Sequence, residues 1–227
     1  MFAFPKLLSS MAIVAALNSL AGFAGAAVLP AGGAVGLTGT TSGLSPELAA
    51  VVQDDPLHPF QIVDGGGNVL ISGNLQDRVG KSNDLGTMIF SPRLRDLVGT
   101  AGAAPVEIYG ISIDGYGGYT TDVEYRVDGL GDAGPNIANR SADGELVTFR
   151  YETSPLLPPD ESYFNSILTD ATAFAPIGTA TIYARVGANR PFFSTTLRGI
   201  NVPVPEPTAS VLVLGALGLA ALIRRRG

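Results

Sequence analysis

The chain of 227 residues contains no cysteine, no tryptophan and one histidine, His58. Disulfides, thiol chemistry and every cysteine-ligated zinc site are thereby excluded. A domain of this kind must be held by burial, by backbone pairing or by bound ions. Charge is also scarce, at 15% of residues, which excludes a charge-rich disordered chain. Residues 27–201 carry ten basic side chains against 19 acidic ones, a net of −9. A surface of that sign repels phosphate backbones, so nucleic acid is not an expected partner.

Catalytic signatures are missing too. His58 lies between Leu57 and Pro59 with no Gly-x-Ser-x-Gly elbow anywhere in the chain, and it reads as a structural histidine. None of the 19 acids is marked by sequence as half of a glycosidase pair. The chain is therefore read as a non-enzyme, with a secreted hydrolase of unusual type as the distant alternative.

Small and apolar residues are plentiful: 46% of the chain is hydrophobic and 29 residues are glycine. Short strands joined by glycine turns fit this balance. After His58-Pro59 the pattern alternates with period two. Phe60–Asp64 and Asn68–Ser72 flank Gly65-Gly66-Gly67 as a hairpin. Further strands are predicted over 75–79, 86–90, 106–114, 119–128, 145–153, 163–169, 180–186 and 193–199, making ten. In the clearest, Tyr119, Thr121, Val123, Tyr125 and Val127 form one face and Thr120, Asp122, Glu124, Arg126 and Asp128 the solvent face. With no long helical crossovers between them, these strands predict an all-β fold. The expected form is an antiparallel two-sheet β-sandwich, jelly-roll-like or similar, over residues 60–201.

Residues 27–59 read as a leader. Its first part, to Gly43, has no apolar period and is expected to be flexible. Ser45-Pro46-Glu47-Leu48 starts a short helix running to about Gln53. Ser91–Leu97 is expected to form a single helical turn.

Two loops invite a ligand. Asp128, Asp132, Asn136 and Asp143 place oxygen donors on a glycine-rich stretch suited to calcium, although the spacing is not that of an EF-hand. The same residue types are also ordinary turn formers. Asp114-Gly115-Tyr116-Gly117-Gly118-Tyr119 presents Tyr116 and Tyr119 as candidates for stacking on sugar rings, or as a turn whose aromatics cover a sheet edge.

The two ends carry targeting features. Lys6, an apolar run from Leu7 to about Leu20 and the small residues Ala24-Gly25-Ala26 read as a helical signal peptide over residues 1–26, cut between Ala26 and Ala27. Near the other end, Thr208 to Ile223 is 16 uncharged residues, followed by Arg224, Arg225 and Arg226. As a helix this stretch measures roughly 24 Å against a hydrocarbon core of about 30 Å, a gap that arginine snorkelling can close. The arginines place the tail in the cytoplasm and the domain outside.

Val204-Pro205-Glu206-Pro207, the apolar helix and the arginine cluster together resemble the PEP-CTERM sorting signal of Gram-negative bacteria, over residues 204–227. The resemblance implies recognition by exosortase, a membrane-embedded cysteine transpeptidase, and a setting of exopolysaccharide or biofilm matrix. The expected protein is an inner-membrane-anchored export product, sorted to the cell surface or matrix, with a structural or interaction role. A carbohydrate-binding module that retains exopolysaccharide is the alternative. N-terminal sequencing of the exported protein should return Ala27; a sequence beginning at Met1 would refute the cleavage.

Overall fold

The computed structural model describes residues 25–100, 105–186 and 192–206. The predicted signal peptide up to Ala24 and the predicted membrane helix with its arginines lie outside the described residues. Among the described residues no helix is long and apolar enough to cross a membrane.

Among the described residues thirteen strands follow in chain order. The first seven are β1 (Ala27–Val28), β2 (Ala34–Gly36), β3 (Ala50–Asp54), β4 (Leu57–Val63), β5 (Val69–Ser82), β6 (Met88–Gly99) and β7 (Val106–Asp114). The rest are β8 (Thr121–Tyr125), β9 (Ile137–Arg140), β10 (Leu146–Arg150), β11 (Asn165–Thr169), β12 (Ala173–Val186) and β13 (Phe192–Val204). They form two antiparallel sheets. One runs β1-β8-β11-β6-β5-β3 with β4 also on β5; the other runs β13-β12-β7-β10-β9-β2. Neighbours in the sheets are mostly not neighbours in sequence, so the chain repeatedly crosses from one sheet to the other.

Period-two alternation explains the packing. Ile71, Leu75 and Val79 of β5, Phe90 and Leu94 of β6, and Val123 and Ile167 point inward from the first sheet. Ile108, Ile111 and Ile113 of β7, Val147 and Phe149 of β10, and Ala180, Ile182 and Ala184 of β12 meet them from the second. All belong to one continuous core. The β4–β5 hairpin forms as expected: Asp64 accepts from the amides of Gly66 and Asn68, and Gly67 takes the turn with φ +83°.

Several expectations are corrected. Residues 27–43 are not a free leader: β1 pairs with β8, β2 pairs with β9, and Leu29 and Leu37 lie in the core. The two buried leucines are eight apart, so no local period announced them, yet each plugs the interior. Leu29 is bolted from three sides, its amide donating to Thr121 O at 2.8 Å and its carbonyl accepting from the Thr121 hydroxyl and Arg140 Nη1. The helix expected from Ser45 stops after a 3-10 turn at Pro46–Leu48, because β-branched Val51 and Val52 enter β3 and pair with Lys81 and Gly80.

Residues 91–97 are strand, not helix. Phe90, Pro92 and Leu94 keep the inward phase, and a bulge at Asp96, with φ +54°, turns Leu97 back into the core. The regular part of the clearest predicted strand ends at Tyr125, and Glu124 on its supposed solvent face is only 4% exposed. The 38–45 segment covers it, and Glu124 Oε1 accepts from the amides of Gly39 and Tyr125. That burial raises its pKa.

Leu29→Ala should lower unfolding free energy by about 2–4 kcal/mol in urea denaturation, the usual cost of emptying a core leucine site. A loss within error of zero would return this segment to the status of a leader.

Candidate functional site

The turn between β7 and β8 does not offer Tyr116 to a ligand. The residue is 0% exposed, packs edge-on against Phe90 at 5.7 Å between ring centres, and belongs to the core. Burial raises its phenol pKa well above the ordinary value. Arg140 Nη2 donates to the carbonyls of both Tyr116 and Tyr119, at 2.9 and 2.8 Å, and so pins the loop over the buried ring. Tyr119 is half-buried, and its hydroxyl has no partner. Only this second tyrosine reaches the surface.

The four proposed calcium ligands are tied to four separate places. Asp128 accepts from Arg126 Nε at 2.8 Å and from the amide and hydroxyl of Ser42 at 3.0 and 2.7 Å, which together hold its carboxyl well below the usual range. Asp132 accepts from the amide of Glu161. Asn136 accepts from the amides of Glu152 and Thr153. Asp143 accepts from the Ser141 hydroxyl and the Glu145 amide, which lower its pKa. Each oxygen fastens a turn, and the structure does not gather them around a common point. Among the described residues no group of three or more His, Asp or Glu side chains is placed to hold a metal ion.

The chemistry instead concentrates where β4 and β5 meet β13. Asp77 sits on the inward phase of β5, two residues from Leu75 and Val79, and is 2% exposed. Its Oδ2 accepts from the amide of Asn201 on β13 at 2.7 Å, joining one sheet to the other. His58 Nε2 lies 3.6 Å from the same oxygen and has no hydrogen-bond partner. Around them, Asn201 Nδ2 donates to Asp54, while Gln76 Nε2 and Arg78 Nη2 both donate to Asp55.

Burial pushes the Asp77 carboxyl up to about 7, against the opposing Asn201 amide, and Asp54 and Asp55 push the same way. Burial pushes His58 down, against Asp54. Both shifts favour the neutral forms and so work against a fixed salt bridge between the two groups. No motif announced this node. The one available signal was a carboxylate at the inward phase of an otherwise apolar alternation, Ile71, Leu75 and Val79.

At the chain's exit from β13, Val204 is the last strand residue, and Pro205 and Glu206 are exposed. The Thr172 hydroxyl donates to Glu206 Oε1. At the other end Ala26 and Ala27 are half-buried, with the Ala26 amide donating to Glu47 at 3.2 Å. Ala24, Pro207, Arg224, Arg225 and Arg226 lie outside the described residues. The chain matches no protein-family model, no curated protein and no solved structure.

An acid with a raised pKa keeps its proton in the folded state after the unfolded chain has lost it. Stability therefore falls as pH rises from the ordinary carboxylate value of 3.8 towards about 7, by at most roughly 4 kcal/mol, and stays lost above. His58 acts in the opposite sense, costing stability as pH falls below its ordinary 6.5. Asp77→Asn should remove the first effect. Its melting temperature relative to wild type should be higher at alkaline than at acid pH, and parallel curves for the two proteins would show that Asp77 does not titrate in this range.

Proposed function

We propose that the chain is an exported surface or extracellular-matrix protein, sorted and processed by exosortase at Pro205-Glu206-Pro207, with a structural or interaction role and no reaction of its own. In this reading signal peptidase releases the chain at Ala27, and the 208–223 helix holds it in the inner membrane. The domain outside is a β-sandwich.

The observation that carries the reading is the three-part tail, in which Pro-Glu-Pro, apolar helix and arginines occur in order and without a gap. Its setting supports it. Pro205 and Glu206 follow the last strand directly and are exposed, and two prolines around a glutamate cannot extend either strand or helix. Exposure of Pro205 and Glu206 beyond the sheet supports a reading in which an enzyme acts on this segment. A cut before Ala27 likewise leaves β1 and the buried Leu29 whole.

In the native host the mature protein should lack the arginine tail by intact mass. Replacing Pro205, Glu206 and Pro207 with alanine should leave the tail attached and the protein in the inner membrane. Mature surface or matrix protein that still carries Arg226 would overturn the proposal.

A further inference from the structure

The outer face of the six-stranded sheet carries a groove that is separate from the Asp77 node. We propose that it binds a neutral polysaccharide by stacking sugar rings on Tyr109, Tyr183 and Phe192. The inference deepens the reading above only in placing the domain where such a polymer is found.

Alternation sets these side chains outward. On β12 the core takes Ala180, Ile182 and Ala184, leaving Thr181, Tyr183 and Arg185 on the other face. On β10 it takes Val147 and Phe149, leaving Leu146, Thr148 and Arg150. Register then brings them side by side. Gly110 of β7 lies between Tyr183 and Arg150, and Ser112 lies between Thr181 and Thr148. Because position 110 has no side chain, the row opens into a depression of about 510 Å³ between flanking rings. That volume lies in the usual range for small-ligand sites.

The ligand class follows from what the walls supply. The Tyr109 and Phe192 rings are 5.6 Å apart, and Phe192 is 62% exposed, a large aromatic surface left in water. Beside the rings run hydroxyls, with Ser112 bonded to Thr148 at 2.8 Å and Thr181 to Thr196 at 3.0 Å. Charge on the rim is balanced in place: Arg185 pairs with Glu107 and Arg150 with Glu152. The Arg185 guanidinium also lies 4.8 Å from the centre of the Tyr109 ring. Among the described residues that line the groove, Arg150 is the one charged side chain, and it is already paired with Glu152, so the lining itself offers neither an anionic polymer nor a cation an unpaired charge. A sugar ring has an apolar face to lay on an aromatic and hydroxyls at its edge to bond the rim, and it needs no net charge. The aromatics and Arg150 span four strands, three spacings of about 4.8 Å, which suits a chain of sugars rather than one.

The test is affinity electrophoresis of the full-length protein in detergent, through gels containing hydroxyethylcellulose, dextran, galactomannan or the uronate polymer alginate. Wild type should be retarded by at least one neutral polymer and not by alginate. Tyr183→Ala and Phe192→Ala should each weaken retardation about tenfold, the scale of one aromatic stacking contact, while Tyr183→Phe stays within about threefold. Tyr119→Ala, outside the groove, should behave as wild type. Passage through all neutral gels, retardation by alginate alone, or equal retardation of both alanine variants would overturn the proposal. So would slowing in polymer-free gel that rises with protein concentration and disappears in Phe192→Ala, since the groove would then be a contact between copies. Loss of the arginine tail in the host is scored separately, so sorting and glycan binding can fail independently.

Discussion

Two sheets must close over one interior, and the rest of the molecule is arranged around that requirement. Without cysteine there is no cross-link to hold them, so burial of the inward faces is the main cohesive force. This accounts for the use made of the first described residues. Leu29 and Leu37 seal the interior from a segment with little secondary structure of its own, and Arg140 fixes that seal by donating to the carbonyls of Leu29, Tyr116, Tyr119 and Gly144. Arg140 acts as a hub for backbone acceptors that no strand satisfies, which is how a buried cation can be held through carbonyl dipoles.

Asp77 is the exception to the apolar interior, and its setting explains its chemistry. A charged carboxylate there would face Asp54 and Asp55 in a poorly solvated place, so the proton is held to a pH of about 7 rather than lost in the ordinary carboxylate range. What the group contributes is a contact between the sheets: it gives the Asn201 amide on β13 a defined acceptor on β5. Inward faces are thus committed to cohesion, whereas outward faces are free to carry recognition. The aromatics over β7, β12 and β13 occupy such a free face.

Local pattern revealed much of the fold. The strands at 106–114, 145–153 and 163–169 and the Gly-rich hairpin all emerged close to their expected places, since one buried face imposes period two. Misreadings came where a local cue met a stronger tertiary partner. Ser45-Pro46 starts a turn, but β5 captures Val51 and Val52 before a helix can grow. Ser91–Leu97 spaces its leucines like a helical turn, but β5 runs alongside and a bulge at Asp96 supplies the missing residue of phase. The candidate sites were less legible. Tyr116 and Tyr119 share a turn and differ in burial because the first ring packs on Phe90 in the core, a partner 26 residues away in the chain.

By itself the sequence determined the class of fold and the exclusion of thiol and cysteine-zinc chemistry, and its two ends supplied the pattern on which the proposed export and sorting rest. These depend on composition and on order along the chain. Only the tertiary structure decided which acids share a neighbourhood, that Asp77 lies between the sheets beside His58 and Asn201, and that Tyr109, Tyr183 and Phe192 form one surface. Those relations depend on strand order and register, which are chosen by the joint packing of two whole faces and leave no mark on any short stretch of sequence.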